Sequence, residues 1–370
     1  MRLWELANVF FLEGLFGFGG PAAHQAMMEE DTVRKRQWLT QEQFLDTLAA
    51  SNLIPGPTST EMAIHIGYIY AGIPGLIVAG ISFILPAALI TLGFAWLYSQ
   101  IGTVPAVARL FAGVGPVVVV IIADACWRLA KKSITNLQLA LIFLLVIASV
   151  LLGLSEIAAL ILGGILAIVL LPKAQRQSLL IGIALVNSTS KLVLIKPTLL
   201  QLGLFFLKIG SILFGGGYVL FAFLQEGMVN QNHWLSQQQL VDAIAIGQFT
   251  PGPILSSATF IGYLIAGLPG ALVATLAIFL PSFVLVLISN PLIAKMRKSK
   301  LTSFFLDGVR AASIALIAVV VLKIGYNTLS NNWVNVFLTI LSAIMLFGYR
   351  VKTRWLIILA LVAGYFLEQP

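Results

Sequence analysis

The sequence predicts an all-α polytopic membrane protein made of two inverted-topology repeats, each with about five crossing helices plus one re-entrant Pro-Gly-Pro hairpin. Three observations carry that prediction. First, 59% of the residues are hydrophobic and only 10% are charged, with a mean hydropathy of +0.99. That is too apolar for a soluble globular chain of 370 residues. Second, the chain repeats itself. Ile54-Pro55-Gly56-Pro57 has a mate in Pro251-Gly252-Pro253, and the 196-residue offset also carries Gly19-Gly20 onto Gly215-Gly216, Trp38-Leu39 onto Trp234-Leu235 and Asp46 onto Asp242. Downstream the offset is 195, which matches Gly67-Tyr68 to Gly262-Tyr263, Pro74-Gly75 to Pro269-Gly270, Pro86 to Pro281 and Gly113-Val114 to Gly308-Val309. One unit has been used twice. Third, most Lys and Arg sit in short segments between apolar runs, as topology signals do.

Taken in order, the repeats occupy residues 1–172 and 199–370, with a cytoplasmic linker over 173–198 that holds a short apolar helix around Leu179 to Val186. The first apolar segment carries Glu5 and Glu13 and lacks a basic n-region, so it reads as a retained membrane helix and not as a signal peptide. Leu76–Leu97, Ala106–Ile122, Leu137–Leu152, Ile157–Leu171 and Ala271–Ile288 are long enough, or nearly so, to cross as helices. None alternates as a barrel strand does.

Basic clusters fall at Arg34 to Arg36, at Arg128 with Lys131 and Lys132, at Lys173 with Arg176, at Lys191 with Lys196, at Lys295 to Lys300 and at Arg350 to Arg354. If all face the cytoplasm, Phe44 to Gly72 cannot cross, because the loops at Arg34 and Arg128 would then lie on opposite sides. The Pro-Gly-Pro segment therefore dips in and returns. The Gly-Gly helix, two helices after the hairpin and a closing pair make five crossings, an odd number, so the second half is upside down relative to the first. The charges agree: the loop at Arg34 is basic, whereas its mate, Glu226 to Gln239, has no Lys or Arg. Inverted repeats are an architecture of secondary transporters, with substrate near the midplane between the halves.

The function classes narrow accordingly. The excess of eight positive charges reads as topology and not as a nucleic-acid surface. A single cysteine, Cys126, excludes an internal disulfide and a cysteine-based metal cluster. There is no His-Glu-x-x-His, Walker or Gly-x-Ser-x-Gly motif, and with three histidines no metal site or cofactor is expected. An enzyme is not expected.

Broken backbone inside a bilayer costs several kcal/mol per unpaired group unless protein or water covers it. Four breaks at repeat-related places therefore point to a shared cavity. Pro21 and Pro57 suit a first helical position, and the amides after them form the positive end of a helix, where anions bind. Thr58, Ser59 and Thr60 add hydroxyls there, with Ser256 and Ser257 standing slightly later in the mate. Gly17, Gly19, Gly20, Gly215, Gly216 and Gly217 allow close approach to main-chain N–H groups, as Gly56 and the mate's Gly252-Pro253 do. The competing reading is that these residues merely kink helices for packing.

Among ionisable residues, Glu61 and His65 share one helical face and are candidates to carry a proton. Lys208 is a candidate to meet a dianion, with Glu13 balancing its charge, or else to reach the interface. Arg109, Arg310, Arg128 and Lys323 read as snorkelling near helix ends. Asp46 and Asp242 read as caps or anchors of the hairpins, and Trp38 and Trp234 as interfacial. His24 either lines the path or faces water.

The ordered set Phe16-Gly17-Phe18-Gly19-Gly20-Pro21, Trp38-Leu39, Pro55-Gly56-Pro57, Gly67 and Pro86 resembles the chromate ion transporter family in its long, two-domain form. The resemblance covers both halves. It implies export of chromate, with sulfate as competitor or counter-ion, and it carries the family's Gly-Gly-Pro and Pro-Gly-Pro positions to Gly19, Gly20, Pro21, to Pro55, Gly56, Pro57 and to Pro251, Gly252, Pro253. Gly217 replaces the proline at the second Gly-Gly break. The function expected is secondary active transport of chromate, and of sulfate, across the cytoplasmic membrane by alternating access. The alternatives are a passive oxyanion channel or a tetrahedral-anion carrier without chromate specificity. The partners expected are the dianion, the lipid bilayer and a second copy in a homodimer, with no nucleic acid.

Overall fold

The computed structural model describes residues 2–101, 110–111, 113–170, 197–289, 300–330 and 333–367. Arg109, Lys295, Arg297, Lys298 and residues 173–196 of the linker, with its Leu179–Val186 segment, lie outside the described residues. The described residues form fourteen α-helices and no strand. In the first half these are α1 (Arg2–Phe16), α2 (Pro21–Glu29), α3 (Gln41–Ser51), α4 (Thr58–Ile101), α5 (Val114–Ser133), α6 (Leu137–Leu151) and α7 (Glu156–Val169). In the second they are α8 (Leu199–Ile212), α9 (Leu220–Leu224), α10 (Gln237–Phe249), α11 (Ser257–Ser289), α12 (Lys300–Leu329), α13 (Trp333–Ala343) and α14 (Thr353–Leu367). Three helices, built around α4, α11 and α12, are long and apolar enough to cross a membrane. The protein is a multi-pass membrane protein.

The lipid-facing side of α4 is visible as a stripe. Ile73, Ile77, Ile81, Leu85 and Leu89 are all exposed at i+4 spacing, over roughly 24 Å at about 1.5 Å per residue. Leu268, Leu272, Leu276 and Leu280 repeat the stripe on α11. In water such a patch would be an association hazard. In hydrocarbon it is the outer surface.

The Pro-Gly-Pro segment is a hairpin built from local signals. α3 starts with a capping box: the Gln43 N–H donates to Thr40 Oγ1 at 3.1 Å and the Thr40 N–H donates to Gln43 Oε1 at 2.9 Å. Ser236 and Gln239 repeat the box on α10 at 3.1 and 2.9 Å. These residues do the capping, one of the two roles expected of Asp46 and Asp242. Asp242 instead anchors, accepting from Tyr98 Oη at 2.7 Å and Gln238 Nε2 at 2.8 Å. After the break, the arm 58–70 runs back until Tyr70 stacks on Trp38 at 4.3 Å, beside the point where α3 began. The chain then reverses at Ala71 (φ −143°, ψ 23°) and Gly72 (φ 63°, ψ −150°) to start the long crossing arm of α4. Its mate is nearly superposable, with Ala266 at φ −140°, ψ 26° and Gly267 at φ 61°, ψ −152°. Glycines permit this reversal, since a Cβ at Gly67 would overlap the Gly75 carbonyl and one at Gly262 would overlap that of Gly270.

One element differs from its expectation. The Gly-Gly segment is not a through-going helix: Arg36 Nε lies 3.7 Å from Glu5 Oε1, which brings the end of the segment back to its start. In the second half Trp234 packs against Phe205 at 5.7 Å and closes α8 with its return arm in the same way. The cause is backbone conformation, since Gly19 and Gly20 hold φ of 114° and 76° and Gly215 and Gly216 hold 85° and 104°, values that turn the chain and suit only glycine. Each half therefore carries two half-length hairpins and four crossings instead of five, an even number, so the inversion rests on the loop charges and on the antiparallel mates described next, not on the parity of crossings.

The halves meet antiparallel. α5 and α12 are repeat mates, and Gly115 lies against Thr328, Val119 against Gly325, and Cys126 Sγ donates to Ile314 O at 3.7 Å. Residue numbers rise along one helix as they fall along the other, as a two-fold axis lying in the membrane plane requires. The largest buried apolar cluster draws on both halves, and a smaller one around Leu6, Phe10, Met28, Phe44 and Phe83 belongs to the first half alone.

Candidate anion site at the four helix breaks

All four breaks converge, and they do so across the repeats. The Gly56 N–H donates to Leu213 O at 2.7 Å, and the Gly252 N–H donates to Gly17 O at 2.9 Å. These two bonds are symmetry mates, because 56 and 252, like 17 and 213, stand 196 apart. Each Pro-Gly-Pro tip thus satisfies a carbonyl freed by the other half's Gly-Gly break, which is what broken backbone in hydrocarbon requires. The tips are tightly seated. A Cβ at Gly56 would fall on Glu61 Oε1 and crowd Ser282 Oγ, and one at Gly252 would crowd the side chain of Ala87 and the carbonyl of Gly14.

A narrow cavity lies where the tips meet. The first Gly-Gly break contributes Gly20, Pro21 and His24, the first tip contributes Pro57 and Ser59, the second break contributes Gly217, and the second tip contributes Gly252 to Leu255. Pro21 stands at the first position of α2, as expected. Pro57 stands one place earlier than expected, as the cap: its carbonyl accepts from the Thr60 and Glu61 N–H groups at 2.8 and 3.1 Å. The N–H groups of Thr58 and Ser59 are left without a backbone acceptor among the described residues. Pro253 repeats the arrangement, accepting from Ser256 N–H at 3.0 Å and leaving the amides of Ile254 and Leu255. Two helix starts therefore present main-chain donors at one cavity, a geometry that favours a small anion.

The other candidates distribute around this cavity. Gly19, Gly215 and Gly216 shape the breaks without lining it, and Gly56 is turned toward Glu61. Thr58 and Thr60 flank Ser59; Thr60 is fully buried with its hydroxyl unpartnered. Ser256 is also buried away from the lining and accepts from Thr91 Oγ1 at 3.3 Å. Glu61 and His65 are buried behind the tip, with both Glu61 oxygens and His65 Nε2 unpartnered among the described residues. Glu13 is likewise buried and unpartnered, one turn before the first break.

Lys208 is not at the site. It is exposed on α8, absent from the cavity lining, and so is not placed to balance Glu13. Arg310 and Lys323 both have protein partners. Arg310 donates to Asn52 O at 2.6 Å, bracing the first tip, and Lys323 pairs with Glu226 at 3.2 Å in a second cavity that also holds Glu156 and Gln225.

Two further residues gain a definite place. Of the two places the sequence left open for His24, one turn past a Gly-Gly-Pro break, the structure gives a wall of the central cavity, and His24 is the one titratable side chain among the described residues that line it. Arg354 lies 5.5 Å over the Phe18 ring in the first break; no local pattern links positions so far apart in sequence.

The comparisons with known proteins agree with this architecture. The family model described as "Chromate transporter" matches twice, over residues 4–169 and 200–365. The chain is 38% identical to the "Chromate transport protein" of Cupriavidus metallidurans, over 86% of this chain and 82% of that protein. It is 33% identical to the "Probable chromate transport protein" of Synechococcus elongatus, over 98% and 95%, and 28% identical to the "Chromate transport protein" of Pseudomonas aeruginosa, over 97% and 90%. No solved structure matches the chain. Two matched halves, and relatives at this identity along nearly the full length, place the chain in the chromate transporter family.

Proposed function

We propose that this protein is a secondary transporter that moves chromate out of the cytoplasm by alternating access, holding the dianion at the amides of Thr58, Ser59, Ile254 and Leu255. The observation that carries the reading is the reciprocal pair of bonds from Gly56 to Leu213 and from Gly252 to Gly17. Because each half closes the other's break, rocking one half against the other opens the cavity to one side while the opposite pair of contacts holds it shut.

The relatives' names point to chromate as the cargo. Amide donors recognise tetrahedral charge and size, so sulfate, an isosteric dianion, is the competitor or counter-ion. Gly19, Gly20, Pro21, Gly215, Gly216 and Gly217 keep the main chain open at the breaks, and Gly56, Pro57, Gly252 and Pro253 form the tips. Glu61 and His65, buried behind the first tip, are the proton-coupling candidates. Export of a dianion is also downhill on an inside-negative membrane, by about 2.3 kcal/mol per charge per ~100 mV.

Counterflow in proteoliposomes tests the proposal. Vesicles preloaded with sulfate should take up labelled chromate faster than empty ones. Equal rates would indicate a pore on the same scaffold.

A further inference from the structure

We infer that His24 binds the anion directly and takes up a proton when it does so, so that the dianion is held as a proton–anion pair. The inference deepens the site proposed above and rests on it.

The ring's orientation is defined on one edge. His24 Nε2 donates to Gly17 O at 2.9 Å, and a Cβ at Gly17 would press on Cδ2 and Nε2 of the same ring. The opposite edge, with Nδ1, is therefore turned away from Gly17. Nδ1 is buried and has no partner among the described residues, in a side chain that is 1% exposed and walls the cavity. Phe83 meets the ring edge-on at 5.3 Å and holds its plane.

With its proton committed to Nε2, a neutral imidazole offers only a lone pair at Nδ1. A lone pair repels an oxyanion. A proton on Nδ1 converts it into a charged donor, and hydrogen bonds of that kind are the stronger ones. The cavity otherwise offers a dianion only neutral donors, the amides and the Ser59 hydroxyl, because no Lys or Arg is among the described residues that line it. Gly17 O keeps its hydrogen bond in either state, so the ring need not move.

The groups on neighbouring elements are few. α1 brings Glu13, and α4 brings Glu61 and His65, all buried and unpartnered as described above. α14 brings Arg354 over Phe18. The second-half tip, residues 251–257, brings no titratable side chain, and the second break brings only Tyr218, whose hydroxyl donates to Gln248 at 3.4 Å. The repeat mate of His24 is Leu220, so the proton is held by the first half alone.

The test is calorimetric titration of the purified full-length protein with potassium chromate, in two mildly alkaline buffers of different ionisation enthalpy. Chromate is then a dianion before it binds. The expected result is uptake of about one proton per anion bound. His24→Asn should abolish the uptake and weaken binding about tenfold, ~1.4 kcal/mol, whereas Glu13→Gln should keep it. Binding without proton uptake by the unmodified protein would overturn the inference and leave the site standing. So would uptake that survives His24→Asn, or uptake lost in a Glu13, Glu61 or His65 variant and kept in His24→Asn. Absence of chromate binding to the unmodified protein would overturn the proposed function itself.

Discussion

At the scale of single residues, the site depends on positions where a side chain is forbidden. Gly56 holds φ at 144° and has Glu61 and Ser282 against the place a Cβ would occupy. Gly56→Val should therefore abolish chromate flux in proteoliposomes while the protein still inserts. Gly72→Ala is the control: its φ of 63° costs strain of about 1–2 kcal/mol, but nothing lies within 4 Å of the added carbon, so flux should persist with a lowered melting temperature. Loss of flux in both variants alike would mean that backbone strain, and not the tip, is what transport senses. Lys208 gives the opposite expectation. Exposed and remote from the cavity, it should tolerate Lys208→Gln with chromate affinity changed by no more than about twofold, within ~0.5 kcal/mol. A tenfold loss by equilibrium binding would restore it to the site.

At the scale of elements, the hairpins are held by small residues, and repeat symmetry makes a paired prediction. Gly67→Val and Gly262→Val each push a side chain into the facing glycine's carbonyl, so both should destabilise the purified protein by at least the ~1–3 kcal/mol of ordinary overpacking. The two losses should be similar by thermal unfolding. A neutral result in either would show that its hairpin arms are not closely crossed. The same elements indicate how far the sequence could be read. Offsets of 196 and 195 exposed the duplication, and the re-entrant Pro-Gly-Pro hairpin followed from charge, because Pro, Gly and Lys or Arg act locally. The return of the Gly-Gly segment was not legible: positive φ at Gly19 and Gly20 is permitted by glycine but not demanded by it. The Thr40-x-x-Gln43 box is legible in the sequence as the start of a helix. The reciprocal bonding of tips to breaks is non-local, joining positions such as 56 and 213, and no periodicity in one segment encodes a partner so far along the chain. For the same reason Lys208 could be placed on a helix but not on a face of the bundle.

At the scale of the whole molecule, the duplication matters because the mates are antiparallel. Arg34 and Asn230 are exposed repeat mates near the ends of the two return arms, and with Cys126 replaced by serine a cysteine at each should react with a membrane-impermeant thiol reagent from opposite sides of the membrane. Labelling from one side only would contradict the inversion. Inversion places one Gly-Gly break and one Pro-Gly-Pro tip on either side of a common centre, and the crossed bonds join each tip to the other half's break. Neither half alone closes a site. A change of orientation between halves then alters access without dismantling the amides that hold the anion. The measurement that tests this most directly is the anomalous signal of chromium in crystals of the protein grown with chromate. The account predicts one peak between the Thr58–Ser59 and Ile254–Leu255 amides, within hydrogen-bond reach of His24. A peak beside Lys323 and Glu226, with none at the four breaks, would contradict it.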